Sequence, residues 1–256
     1  MNTDNQTCDQ KNYILSECTE YSMISDEVVS LDFAWTGQKP KAGQFFLVRL
    51  ERSSVFLGRP ISVAHWQSGT LRFVIAIRGK GTKEFADIRV GERAFLTGPL
   101  GKGWAEIAGQ NHKGKIALIS GGVGIAPLAC FASELGKKTY DFYAGFKNEP
   151  FGHEDLHPHK LVISSEDGSA GFKGRITDFL APASYNTVYA CGPEPMLKAV
   201  ADKCKAAGVS CYISLERRMA CGTGACLGCS IKTSIGNRRC CADGPVFNAE
   251  EIFFDE

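Results

Sequence analysis

Cys221, Cys226 and Cys229 stand in the spacing C-x4-C-x2-C, and Cys241 follows after eleven more residues. Four thiolates so spaced can wrap a plant-type [2Fe-2S] cluster, because soft anionic sulfur suits both ferric and ferrous iron. Gly222, Gly224 and Gly228 lie between the cysteines. They permit the tight curvature that lets backbone N–H groups point at sulfur. Zinc sites are usually built from C-x2-C pairs, and only one such pair occurs here. A zinc-binding interaction module is therefore the alternative of a different class. Cys240 adjoins Cys241, and in extended chain the two point to opposite faces, so one of them is the fourth ligand. Cys8, Cys18, Cys130, Cys191, Cys204 and Cys211 fall in no ligand spacing. Free cysteine is a common small buried residue, and most of these read that way.

Other groups point to nucleotide chemistry. Arg59-Pro60-Ile61-Ser62 offers a cation for a phosphate and a hydroxyl for a flavin ring edge. Gly79-Lys80-Gly81-Thr82 reads as a glycine turn opening a short helix, which presents backbone N–H groups to a pyrophosphate. Gly121-Gly122-Val123-Gly124-Ile125-Ala126-Pro127 lies between an expected strand and an expected helix. Glycines there let a dinucleotide phosphate approach the backbone and the helix dipole. A proline stands where the third glycine of the doubly wound dehydrogenases would be. Cys191-Gly192-Pro193 follows another apolar strand, and ligands bind in open parallel sheets at such strand ends. A small polarisable residue such as Cys191 can pack on a nicotinamide ring. Each glycine motif taken alone also reads as an ordinary turn.

The elements that must hold these groups follow from the pattern. Short apolar runs at Ile14-Leu15, Val28–Phe33, Phe45–Leu50, Leu71–Ile77 and Arg93–Leu96 suit an antiparallel barrel, with a sandwich as the alternative. Beyond Asn111, strands at Lys115–Ser120, Tyr140–Phe146, Lys160–Ser164 and Thr187–Ala190 alternate with helices at Pro127–Gly136 and Glu194–Ala207. That rhythm argues a parallel α/β sheet. Six of the eleven cysteines lie between Cys211 and Cys241. The division expected is a barrel over 11–110, an α/β domain over 111–213 and a cysteine segment over 214–256.

Composition narrows the class. The 256 residues are 44% hydrophobic and 22% charged, with a formal net charge of +1. That is ordinary globular composition with no global pull toward nucleic acid or an acidic membrane. The first residues are polar and read as a frayed tail over 1 to about 10, unlike a secretory signal. Ile116–Ala132 carries no charge but is short for a membrane span and is broken by glycine and proline. A cytoplasmic protein with reduced thiols is expected, which disfavours disulfides.

In the order R-P-x-S, G-G-x-G-x-x-P and C-G-P, these motifs resemble the ferredoxin reductase-like flavoprotein superfamily. Within it the chain is most similar to the electron-transfer subunits of type B, NAD-linked dihydroorotate dehydrogenases. The resemblance runs from about Tyr13 to the C-terminus. Its most specific stretches are Gly98-Pro99-Leu100-Gly101-Lys102-Gly103-Trp104, Glu166-Asp167-Gly168-Ser169, Glu216-Arg217-Arg218-Met219-Ala220-Cys221-Gly222 and Cys241-Ala242-Asp243-Gly244-Pro245-Val246-Phe247. In that family the fourth cluster ligand precedes x-D-G-P, which selects Cys241. A related family, the flavin subunit of NADPH–ferredoxin and sulfide oxidoreductases, carries an acidic residue where this chain has Cys221.

The resemblance implies β + α/β architecture: an antiparallel FAD-binding β-barrel, a parallel-sheet NAD-binding α/β domain and a small C-terminal [2Fe-2S] segment. It implies that Arg59, Pro60, Ile61 and Ser62 hold FAD, that Val74, Ile75 and Ala76 pass along the flavin, and that Gly81 and Thr82 bind its pyrophosphate. Gly121, Gly122, Gly124, Pro127, Cys191, Gly192 and Pro193 would serve NAD. An FMN-binding dihydroorotate dehydrogenase catalytic subunit, two copies of each chain, would be the partner in pyrimidine biosynthesis. No acid or base is required of this chain. The alternative is a stand-alone NAD(P)H reductase feeding a ferredoxin or oxygenase. After the strand at Tyr140–Phe146, Lys147 and Glu149 point in opposite directions on NAD against NADP.

Overall fold

The structure is a computed structural model that describes residues 12–109 and 114–254. The expected polar tail over residues 1 to about 10, and Cys8 within it, lie outside the described residues. Six strands close a barrel: β1 (Asn12–Ser25), β2 (Val28–Ala34), β3 (Phe45–Leu50), β4 (Arg59–Gln67), β5 (Thr70–Ala76) and, after the short helix α1 (Lys80–Lys83), β6 (Arg93–Leu100). Their order around it is β1-β2-β5-β4-β3-β6, all pairs antiparallel. The barrel, rather than the sandwich, is therefore what these short apolar runs build. Strand alternation sends Val63, Phe73 and Ile75 inward, each 0–1% exposed.

The rest of the chain builds on the barrel's exit. After α2 (Trp104–Ala108) come β7 (Ile116–Gly121), α3 (Ile125–Leu135), β8 (Tyr140–Phe146), β9 (Lys160–Ser165), β10 (Phe172–Lys173), β11 (Thr187–Cys191), α4 (Glu194–Ala207) and β12 (Ser210–Ser214). The hairpin β13 (Ser230–Thr233) and β14 (Gly236–Arg239) precedes a last strand, β15 (Val246–Asn248). One sheet runs β10-β9-β8-β7-β11-β12-β15, parallel except where β15 joins β12 antiparallel. The uncharged stretch 116–132 is thus a strand, a glycine turn and a helix. Among the described residues no helix is long and apolar enough to cross a membrane.

Where the structure differs from the sequence expectation, the differences have physical causes. The strand β4 begins at Arg59, ahead of Ser62, although Pro60 cannot donate a ladder bond; Pro60 sits as the second residue, opposite Leu47, where the strand begins. The strand β1 is 14 residues long rather than two. Its polar residues conceal it: Ser16 is 4% exposed, and its hydroxyl donates to the Ala34 carbonyl at 2.6 Å. The last strand of the cysteine segment, β15, extends the α/β sheet. The helix α3 starts at Ile125, two residues before Pro127. Proline at a third helical position costs no hydrogen bond, because first-turn N–H groups lack intrahelical acceptors.

Trp104 joins the parts. It is fully buried and packs on Phe131 of α3 (centroids 5.8 Å, stacked) and Tyr189 of β11 (5.7 Å, edge-on). Its core cluster is continuous with the barrel interior. Replacing Trp104 by alanine is expected to cost about 3–5 kcal/mol of stability. Its indole N–H has no hydrogen-bond partner among the described residues, so Trp104→Phe should cost clearly less. Urea unfolding of both variants checks the order.

Candidate functional site

The cysteine loop lies between the end of β12 and β13. Its four candidate thiols meet in two pairs: Cys221 with Cys226, and Cys229 with Cys241. The peptide N–H of Gly224 donates to Cys241 Sγ at 3.1 Å, and that of Cys241 to Cys229 Sγ at 3.4 Å. Thr223 and Cys226 N–H groups both donate to Cys221 Sγ at 3.4 Å. Burial alone would raise the Cys221 thiol, but those N–H groups outweigh it and bring it down to about 6. Cys241 is pushed up to about 12, first by burial and then by the neighbouring Cys229 thiol. Cys240 makes no such contact; it is fully buried in the core beside Ile231 and Phe247 and raised to about 12 by burial. The geometry therefore separates two adjacent cysteines that spacing alone left open.

The loop needs its glycines. Gly222 has φ +67°, and a Cβ there would sit 2.8 Å from Leu47 Cδ1 of the barrel. Gly224 has φ +86° and the Ala242 methyl 2.9 Å away. Asp243 braces the loop from behind: its carboxylate accepts from Arg239 Nε and from Arg239 N–H, at 2.9 and 2.8 Å. That ion pair holds the Asp243 carboxyl down at about 2. All ten described cysteines are free thiols. Among the described residues, no three His, Cys, Asp or Glu side chains surround a single ion position. Two thiol pairs are what two irons of one cluster require.

The barrel offers an anion site. Arg59 opens β4, and its guanidinium lies against Gly81 so closely that a Cβ there would collide with it. Among the described residues Arg59 has no hydrogen-bond or ion-pair partner, and neither has the Ser62 hydroxyl. The Thr82 hydroxyl is occupied: it accepts from Arg78 and Gly79 N–H at 2.8 and 3.0 Å and so caps α1. Thr82 thus shapes the turn, while backbone N–H groups remain to face an anion. Ser62, Val74 and Ala76 share the barrel's outer face by alternation. Ile75 does not; its side chain is in the barrel core, and only its backbone borders that face.

At the C-terminal edge of the parallel sheet a cleft of about 380 Å³ opens against the barrel. Ala76, Gly121, Gly122, Gly124, Gly192 and Pro193 line it. The N-termini of α3 and α4 both open onto it, a favourable setting for phosphate. Gly124 packs on the Cys191 carbonyl with no room for a Cβ, whereas Gly122, at φ +53°, faces open space. Pro127 sits one turn deeper, in the core. Cys191 is 2% exposed and lies beneath the cleft rather than on its wall, its thiol raised by burial. The wall residue that sequence reasoning left without a role is Glu216. Its position just past the end of a parallel strand was the available signal.

Comparison with known proteins agrees with this geometry. A family model described as the iron-sulfur cluster binding domain of dihydroorotate dehydrogenase B matches residues 216–253. The chain is 42% identical over 222 residues to the dihydroorotate dehydrogenase B (NAD(+)) electron transfer subunit of Clostridium perfringens, covering 84% of this chain and 88% of that one. It is 36% identical over 249 residues to the subunit of the same name from Clostridium acetobutylicum, covering 96% and 100%. Among solved structures, an NADH-dependent reduced ferredoxin-NADP oxidoreductase, described in connection with flavin-based electron bifurcation, aligns with TM-score 0.81 at 28% identity. That alignment covers 95% of this chain and 91% of the other.

The two neighbouring cysteines provide a direct test. After anaerobic reconstitution with iron and sulfide, Cys241→Ser is expected to lose bound iron and the visible charge-transfer absorption. Cys240→Ser should keep both, while losing about 1–3 kcal/mol of stability from its buried hydroxyl. Iron and sulfide content per chain reads the difference.

Proposed function

The chain belongs to the electron transfer subunits of NAD-linked dihydroorotate dehydrogenase B, and from that premise we propose how its residues divide the work. It is a flavin- and iron-sulfur-dependent oxidoreductase component, and a catalytic subunit is its partner. The single observation that carries the assignment of parts is that the barrel borders each of them: Leu47 of β3, paired with Pro60 beside Arg59, touches the cysteine loop at Gly222, and Ala76 of β5 lines the glycine cleft.

Cys221 and Cys226 would take one iron of a [2Fe-2S] cluster, and Cys229 and Cys241 the other. The N–H groups on their sulfurs would stabilise the thiolates. Arg59 would neutralise the FAD phosphates beside the turn at Gly81 and Thr82. Pro60, Ile61 and Ser62 would seat the flavin ring edge, with Val74 and Ala76 and the backbone at Ile75 along its face. Gly121, Gly122 and Gly124, with α3 entered through Pro127, would take the NAD pyrophosphate, and Gly192 and Pro193 the nicotinamide end over Cys191. When bound, the cluster supplies one-electron relay and the flavin supplies the exchange between single electrons and hydride. The chain itself binds, aligns and shields.

The partner is read as an FMN-binding subunit, in two copies with two of this chain, in the cytoplasm. Dihydroorotate chemistry then lies on that subunit, and NAD is the terminal acceptor. Cys226 is exposed, next to Leu227 at 62% exposure. Gly222 and Gly58 both pack on Leu47, so the loop carrying exposed Phe56 and Leu57 adjoins the cysteine loop. This apolar rim around a thiol suits a protein interface.

Two measurements test the reading. Anaerobic addition of dihydroorotate to the copurified complex should bleach the flavin and cluster bands, and NAD should restore them. No response to dihydroorotate, with reduction by NAD(P)H intact, would instead favour a stand-alone reductase. Arg59→Ala should weaken FAD binding about 10- to 100-fold, the worth of one or two charge-assisted phosphate contacts. Arg59→Lys should fall between, because it keeps charge but loses the fork. Flavin retention on dialysis measures both.

A further inference from the structure

Glu216 follows β12 by two residues and lines the cleft with Ala76, Gly122 and Pro193. The charged groups around it are satisfied elsewhere. Arg217 is held bidentately by Glu194 at the start of α4, at 2.7 and 3.1 Å. Arg78, beyond β5, leans to Glu27 at 3.6 Å. The Cys191 thiol beneath is kept neutral by burial. The Glu216 carboxylate has no hydrogen-bond or ion-pair partner among the described residues. Glu216 stays exposed to solvent in the cleft mouth, and the nearby protein walls raise its carboxyl from the ordinary value. An unpaired, exposed carboxylate on the wall of a ligand cleft presents its charge to whatever occupies that cleft, and a cationic group is the occupant it favours.

The cleft has two electrostatic ends. The N-termini of α3 and α4 favour phosphate, and Glu216 repels it. A dinucleotide must therefore lay its pyrophosphate at the glycine turn and its nicotinamide toward Glu216 and Ala76. Oxidised nicotinamide is a cation. Reduction by a hydride, which brings one proton and two electrons, would remove that positive charge. We infer that Glu216 binds the oxidised nicotinamide ring through its charge, so that the chain holds NAD⁺ more firmly than NADH. This rests on the dinucleotide reading above. It gives the site a direction: the oxidised acceptor is gripped, and the reduced dinucleotide, whose ring is neutral, is let go.

The test uses the full chain with flavin and cluster in place. Dissociation constants for NAD⁺, NADH and ADP-ribose are measured for wild type, Glu216→Gln and Glu216→Asp. In Glu216→Gln the NAD⁺ constant should rise about tenfold, the scale of one charge pair in a partly screened cleft. NADH and ADP-ribose should stay within about twofold. Glu216→Asp, which keeps the charge, should retain most of the preference for NAD⁺. The wild-type affinity for NAD⁺ should fall as pH drops through the raised Glu216 titration, because protonation removes the charge. NADH binding, and both ligands in Glu216→Gln, should be flat there. Equal weakening of all three ligands, or an unchanged NAD⁺-to-NADH ratio, would overturn the inference and leave the dinucleotide site standing. A wild-type chain that binds none of the three would overturn both.

Discussion

The arrangement hangs on one turn. The Gly244 carbonyl accepts the Lys102 N–H at 2.6 Å, and the neighbouring Pro245 carbonyl accepts the Leu215 N–H at 2.9 Å. Lys102 is where the barrel ends, Leu215 is where the parallel sheet ends, and the turn itself closes the cysteine segment. Two backbone hydrogen bonds thus clamp three parts of the chain at one point. Gly101 is required beside it, since a Cβ there would lie 2.7 Å from the Gly244 carbonyl and the Pro245 ring. Two of the site's groups lie close to this clamp in the chain: Cys241 three residues before Gly244, Glu216 one residue after Leu215. A relay between redox groups depends on fixed spacing, and backbone contacts fix spacing more firmly than long side chains do.

That clamp explains which parts of the molecule were legible in the sequence. The cysteine spacing, the glycine turns and α4 are local features, and local chemistry dictates them: α4 ends at Gly208, which adopts φ +66°. What failed to show was non-local. The strand β4 begins ahead of Ser62 with Arg-Pro, a poor strand signal, and does so because β3 and β5 flank it. The strand β15 is three residues long and gains its place only by pairing with β12. The inward turn of Ile75 follows from the barrel's register, which no short motif encodes.

The eleven cysteines illustrate the same division. Cys18, Cys130, Cys204 and Cys211 are 0–7% exposed and sit in apolar clusters. Burial raises Cys18 and Cys130 to about 11 and 12, which keeps them protonated and inert. The cysteines at 221, 226, 229 and 241 differ in what surrounds their sulfur, not in residue type. Backbone N–H groups are aimed at three of the four sulfurs. Sequence can count thiols and measure their spacing. It cannot say which of Cys240 and Cys241 faces the loop, because a single residue of register decides that.

Electrostatics then completes what the backbone begins. The net charge of the chain is close to zero, so no global field steers ligands, and each subsite must carry its own charge. Arg59 with the turn at Gly81 gives one positive subsite on the barrel. The N-termini of α3 and α4 give another on the sheet. Glu216 supplies a negative point in the sheet's cleft, and Arg217 with Glu194 contributes almost no net charge. Two helix N-termini and one carboxylate on the same walls describe a cleft that sorts a molecule end from end. A dinucleotide with phosphates in its middle and a ring that changes charge on reduction matches that pattern. A uniformly anionic ligand does not, because the carboxylate would oppose whichever part lay beside it.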